Sequence, residues 1–194
     1  MNKKRVLLLG GTGTLSSAVL KESIEQGWDV TILNRGIRKK ELPRNVNVII
    51  GDFYDISSWN SKILSLEFDV IVDFLSRTAT DIERVYSVLD KICKQYIFIS
   101  SACVYKRDSG DFPLTENSPK PNETWSYNIE KYEAERLLIQ LSKKSHVPFT
   151  IVRPYITYDD ERIPFGIAPA YKYHRTLLER IKSNKPMFVW NNGE

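Results

Sequence analysis

Val6-Leu7-Leu8-Leu9-Gly10-Gly11-Thr12-Gly13-Thr14-Leu15-Ser16 is the stretch on which the reading of this chain turns. Four apolar residues in a row, with no polar alternation, predict a strand covered on both faces. The glycines end it abruptly, and residues 14–26 then carry a helical pattern. A strand, a tight glycine turn and a helix start form the arrangement in which helix N–H groups point at a pyrophosphate. Gly10 is expected to make the turn and Gly13 to let backbone approach the phosphates, with Thr14 and Leu15 opening the helix. Ser16 stands where such turns usually carry a third glycine. It is small enough to pack helix on strand, yet it departs from the pattern.

Further along the chain the same alternation repeats. Residues 29–33, 46–50, 69–74, 96–100 and 149–152 read as short apolar strands. Residues 56–66, 80–91 and 126–144 read as helices. In the last of these, Ala134, Leu137, Leu138 and Leu141 form an i, i+3, i+4, i+7 stripe. Strand–helix–strand units in series predict an α/β fold, a doubly wound parallel sheet. No internal repeat interrupts it. The longest irregular stretch, residues 106–124, is rich in Pro, Ser, Asp and Asn, and loops of that length in a compact domain usually serve function.

Composition narrows the classes of activity. The 194 residues suffice for one ordinary domain with a sizeable core, without disulfide or metal staples. Lys and Arg exceed Asp and Glu by 28 to 24, and the two signs are mixed along the chain. That pattern argues against an electrostatic nucleic-acid binder. Cys93 and Cys103 make no disulfide framework, and His146 and His174 offer no metal cluster, so no metal site is expected. The basic start and four-residue apolar run imitate a signal peptide but are too short for one. No run approaches the roughly 20 apolar residues of a membrane span. A cytoplasmic protein is expected.

The second strand runs into Leu33-Asn34-Arg35-Gly36. A carboxylate there would bind a ribose 2′-hydroxyl. Its absence, with Arg35 followed by Arg38, Lys39 and Lys40, suits a 2′-phosphate. NADP is therefore favoured, with NAD as the alternative. After the third strand, Asp52 of Gly51-Asp52-Phe53 is placed to accept from an adenine amino group.

Tyr127 and Lys131 lie at i and i+4 on the long helix, so both project from one face. A phenol titrating near pH 10 is a poor base at neutral pH, and a neighbouring ammonium favours its ionised form. Tyr127 could then exchange a proton with a substrate oxygen. Ser101, at the carboxyl end of the strand Tyr96–Ser100, could hydrogen-bond the same oxygen.

Taken together, the Gly10–Ser16 turn, Gly51-Asp52, Ser100-Ser101-Ala102-Cys103-Val104-Tyr105, Tyr127-x-x-x-Lys131 and Arg153-Pro154 resemble the extended short-chain dehydrogenase/reductases of the NAD(P)-dependent epimerase/dehydratase type. The resemblance spans residues 5 to 155. It implies a Rossmann domain over residues 1–155 that binds NAD(P), with Ser101, Tyr127 and Lys131 as a catalytic triad. Ser101 is preferred to Ser100 because it directly precedes Ala-x-Val-Tyr. Lys131 would also bond the nicotinamide ribose. Phe53 follows the adenine-side Asp52; Phe74, Leu75 and Ser76 would border the cofactor, and Arg153, Pro154 and Tyr155 would line the nicotinamide pocket.

The resemblance further implies a longer chain whose last third builds the substrate lobe. Residues 156–194 are thus expected to be the start of an incomplete substrate-binding region. The expected activity is hydride transfer on a hydroxyl or keto substrate, a nucleotide sugar being one candidate, in an oxidoreductase, epimerase or dehydratase. A non-catalytic dinucleotide sensor or RNA-binding relative is the alternative. A homodimer paired through the long helix is also among the expectations.

Overall fold

The computed structural model describes residues 3–37, 42–89, 91–106, 112–160 and 174–186. The chain divides into two compact units, Met1–Tyr155 and Ile156–Glu194.

The first unit is built on six parallel strands: β1 (Arg5–Leu9), β2 (Asp29–Asn34), β3 (Val46–Ile50), β4 (Val70–Asp73), β5 (Tyr96–Ile99) and β6 (Phe149–Val152). Their order across the sheet is β3-β2-β1-β4-β5-β6. Between them run α1 (Thr14–Glu25), α2 (Asn60–Leu64), α3 (Ala79–Leu89) and α4 (Ser126–Ser142). This is the doubly wound, Rossmann-type arrangement expected from the sequence, with its order reversal between β1 and β4.

The unbroken apolar run of β1 has a simple cause. Leu7 and Leu9 enter a core with Ile63 of α2, Ile82 and Val85 of α3, and Ala134 and Leu138 of α4. Val6 and Leu8 enter a second core with Leu20 of α1 and with Val30, Ile32 and Val72. A strand sandwiched this way buries both of its faces, so neither parity can be polar. β3 and β6 depart from that expectation, with exposed residues in each. They are the two edge strands of the sheet, where neighbours cover less of the strand.

The helix expected over residues 56–66 is broken in two. Asp55 accepts from the Ser57 N–H at 3.1 Å and tightens Ile56–Ser58 into one 3₁₀ turn before α2 begins. Ser58 adds a bond from its hydroxyl to the Asp55 carbonyl at 2.7 Å. Such local side-chain bonds compete with a continuous helix. A further 3₁₀ turn, Ala102–Val104, was not signalled by periodicity.

The second unit holds α5 (His174–Lys182), outside any sequence expectation, with the Arg180 guanidinium donating to the Pro186 carbonyl. No helix among the described residues is long and apolar enough to cross a membrane.

Candidate functional site

The turn after β1 has backbone that only glycine adopts without strain. Gly10 and Gly11 sit at φ +117° and +111°. The Gly10 N–H donates to the Leu33 carbonyl at 2.9 Å, fastening the turn to β2. A Cβ on Gly11 would fall 2.9 Å from Ile32 Cγ2. Gly13 then caps α1, and Ser16 explains itself: its hydroxyl oxygen accepts from the Gly13 N–H at 2.9 Å while the residue is only 4% exposed. Serine thus packs helix on strand, as the missing glycine would, and also closes the cap. The first N–H groups of α1 have no intrahelical acceptor, and its first turn carries no acidic residue. The helix start is electrostatically open to an anion.

This turn forms the floor of a cleft of about 440 Å³. Gly10, Gly13, Leu15, Asn34, Arg35, Asp52, Phe53, Phe74 and Leu75 all line it. At its second-strand side, Asn34 Oδ1 accepts from the Gly36 N–H at 2.8 Å, which turns the chain and leaves Arg35 exposed at the rim. Arg38, Lys39 and Lys40 lie outside the described residues. Asp52 Oδ1 accepts from the Tyr54 N–H at 3.0 Å, so one carboxylate oxygen steadies its own turn. Sequence reasoning missed Ile37 and Tyr54, two exposed apolar rim residues, and Ile99, which ends β5 in the cleft. No motif marks them. The parity of β5 would have found Ile99, since Phe98 beside it faces the other core. Residues and volume suit the adenosine and pyrophosphate portion of a dinucleotide.

The remaining expected residues lie outside that cleft lining. Thr14 opens α1. Ser101 caps the 3₁₀ turn, its hydroxyl oxygen accepting from the Cys103 N–H at 3.2 Å, which leaves its own proton to donate. Ser100 is 3% exposed, its hydroxyl buried without a hydrogen-bond partner. Only Ser101 of the two reaches partly into solvent. Tyr127 is half-buried near the start of α4, its ring 5.1 Å from that of Trp125, with the Arg77 guanidinium 5.3 Å over it. Arg77 is itself tethered to Glu130.

One turn along, Lys131 is buried. Its ammonium donates to the Ser76 carbonyl at 2.6 Å, in the loop after β4, and to the Ile99 carbonyl at 2.8 Å, at the end of β5. Two of its three protons are thereby fixed in direction. Burial pushes its pKa down to about 8, against the opposing pull of Asp73, Asp81 and Glu135. Ser76 is fully buried and presents only this carbonyl to Lys131, while its hydroxyl turns to Asp73.

Pro154 and Tyr155 follow β6. The Pro154 carbonyl accepts from the Ala102 N–H at 3.0 Å, which draws this segment against Ser101. Tyr155 is exposed. The Arg153 guanidinium points away, into a bidentate pair with buried Glu135 of α4 at 2.9 and 2.8 Å, and donates to the Tyr105 hydroxyl at 2.6 Å. That carboxylate holds its pKa even further above the usual range. Arg153 therefore ties α4, the Ser101 loop and the end of β6 together.

Sheet order, glycine turn and cleft define a Rossmann-type α/β protein of the nucleotide-cofactor class. The model of the NAD dependent epimerase/dehydratase family matches residues 6–194, and the chain belongs to that family. It is 28% identical over 211 residues to the chloroplast stem-loop binding protein of 41 kDa b from Arabidopsis thaliana, a match covering 99% of this chain and 50% of that protein. It is 26% identical over 189 residues to UDP-glucose 4-epimerase of Mycoplasma pneumoniae, covering 84% of this chain and 55% of that enzyme. Among solved structures, UDP-glucuronic acid 4-epimerase from Bacillus cereus, in complex with UDP-glucuronic acid and NAD, matches with a TM-score of 0.73 at 20% identity, over 97% of this chain and 66% of that one. The chain thus spans about half the length of the curated relatives it matches.

Proposed function

We propose that this chain binds NADP in preference to NAD and belongs to an enzyme that oxidises or reduces a hydroxyl or keto carbon of a small substrate, a nucleotide sugar being the class its epimerase relatives suggest. Bound in the cleft, the nicotinamide cofactor supplies reversible hydride transfer. The chain's residues do the rest. The glycine turn and the start of α1 hold the pyrophosphate, Arg35 pairs with the 2′-phosphate, and Asp52 accepts from the adenine amino group. Phe74 and Leu75 wall the cofactor from the sheet side.

Tyr127 takes the proton from a substrate hydroxyl, or returns it to a carbonyl oxygen, and the Ser101 hydroxyl donates to that same oxygen as charge develops. Lys131 presents positive charge one turn from the phenol and keeps one ammonium proton for the nicotinamide ribose. Pro154 and Tyr155 border the nicotinamide end, and Ser76 acts there through its carbonyl. Residues 156–194 begin the substrate-binding region, the protein works in the cytoplasm, and α4 pairs two copies. The observation that carries this reading is Lys131: a buried ammonium, aimed by the Ser76 carbonyl after β4 and the Ile99 carbonyl ending β5, on the same helix face as Tyr127.

Two measurements test it. NADP should bind more tightly than NAD by calorimetry, and equal affinities would remove the 2′-phosphate assignment. In single turnover, reduction of a bound keto-sugar should vanish in Tyr127→Phe with cofactor affinity retained; undiminished reduction would remove Tyr127 from the mechanism. A second reading, nucleic-acid binding without turnover, has one observation in its favour, the stem-loop binding relative that matches nearly the whole chain. Retention of a stem-loop RNA that falls steeply with salt, with no turnover, would favour it.

A further inference from the structure

Asp73, the last residue of β4, belongs to no motif, yet it is the most completely enclosed carboxylate among the described residues, at 0% exposure. Its Oδ1 accepts from the Leu75 N–H at 2.8 Å and the Ser76 N–H at 2.9 Å. Its Oδ2 accepts from the Ser76 hydroxyl at 2.5 Å and the Tyr96 hydroxyl at 2.6 Å. All four donors are neutral. A carboxylate buried among neutral donors remains costly unless a counter-charge stands close by.

Lys131 presents the complementary problem. It is 5% exposed, its ammonium donates to two neutral carbonyls, and it rests 4.7 Å over the Phe98 ring. The charged groups facing it are Asp73 at the end of β4, Asp81 of α3, Glu135 of α4 and Arg77 of the loop after β4. Two of the three carboxylates already have work. Glu135 is held bidentate by Arg153. Asp81 caps the start of α3 by accepting from the Arg77 and Thr78 N–H groups and lies 3.8 Å from Arg84. Among the described residues no cation pairs with Asp73 in this way, and one residue joins it to Lys131. Ser76 gives Asp73 both its N–H and its hydroxyl, and gives Lys131 its carbonyl.

We infer that Asp73 is a positioning residue for Lys131: through Ser76 it fixes where the ammonium sits, and it supplies the counter-charge that keeps it protonated. The same carboxylate shapes the Leu75–Ser76 turn, so the cleft wall and the lysine share one anchor. This deepens the proposed function, since it rests on Lys131 serving the reaction. Tyr96 completes the arrangement from β5, its hydroxyl committed to Asp73 and its pKa held well above the usual range by burial.

The test reads Lys131 directly, by carbon-13 NMR of the full chain labelled at lysine Cε. The wild-type signal should titrate near pH 8. In Asp73→Asn the midpoint should fall by about one pH unit or more, a tenfold weaker hold on the proton. A folded Asp73→Asn chain with an unmoved midpoint would overturn the inference. A second measurement needs no variant. The Asp73 carboxyl carbon of the wild type should inflect at the Lys131 midpoint, and a flat trace from pH 7 to 9.5 would overturn the inference equally. Neither reading requires turnover. If the wild type fails to bind NADP or to reduce any substrate, the functional proposal falls while the titrations still decide the Asp73 role. If turnover is found with Lys131 insensitive to Asp73, this inference alone falls.

Discussion

Replacing Lys131 with methionine should change how stability depends on pH, with a sign the structure fixes. Burial lowers the pKa of Lys131 from the usual 10.5 to about 8 in the fold. The folded chain therefore binds this proton less tightly than the unfolded chain. Below about pH 8 both states are protonated, and the penalty of burying the charge is fully present. Between about pH 8 and 10.5 the unfolded state holds the proton more often, so stability rises with pH. The gap between 10.5 and about 8, at about 1.4 kcal/mol per pH unit, sets the scale at roughly 3 kcal/mol. Lys131→Met removes this contribution and strands the Ser76 and Ile99 carbonyls, at about 1–3 kcal/mol each. At pH 7 the relieved penalty offsets much of that loss. At pH 10.5 nothing does. Urea unfolding of both chains at half-unit pH steps cancels every other titrating group in the difference. The wild type should gain roughly 3 kcal/mol on the variant between pH 7.5 and 10.5. A difference that stays flat, or that shrinks with pH, refutes the burial argument.

Arg35→Ala should weaken NADP binding about ten- to hundredfold and leave NAD affinity nearly unchanged, since a charge-assisted bond is worth roughly 1.5–3 kcal/mol; calorimetry with both dinucleotides checks it. Gly11→Ala meets both a left-handed φ of +111° and a Cβ 2.9 Å from Ile32 Cγ2. It should cost about 2 kcal/mol or more in urea unfolding, and wild-type stability would show that the turn can relax. Glu135→Ala leaves the Arg153 guanidinium, 16% exposed, without its carboxylate. Breaking such a pair costs roughly 3–5 kcal/mol, so a chemical-denaturation midpoint near that of the wild type would show that Tyr105 alone suffices.

The fold was legible because its signals are backbone signals. Apolar runs without alternation identify β1, β2, β4 and β5, the strands flanked on both sides, and their lengths are confirmed within a residue or two. The same rule overstated the burial of β3 and β6, since a run of Val and Ile does not say whether its strand lies at an edge. It also carried residues 56–66 through as one helix. There the apolar spacing of Ile56, Ile63 and Leu66 outweighed the local hydrogen bonds of Asp55, Ser57 and Ser58, which in the folded chain decide the matter.

The candidate site divides along the same line. Its cofactor half depends on main-chain shape: a turn that needs positive φ, a helix start without acid, a basic residue after β2. Each leaves a mark at a fixed offset, and the cleft gathers Gly10, Gly13, Asn34, Arg35 and Asp52 as those offsets imply. Its other half depends on which buried polar groups meet across the sheet. Asp73 looks like one more acidic residue at a strand end, and Glu135 like one more acid on a helix. Only the parallel register sets Asp73 beside Phe98 of β5, over which Lys131 lies, and only the return of β6 brings Arg153 to Glu135. These contacts join residues 18 to 33 positions apart in the chain, beyond the reach of any local pattern. Spacing along one helix can therefore nominate Tyr127 and Lys131, but the charges that govern how Lys131 holds its proton come from other elements.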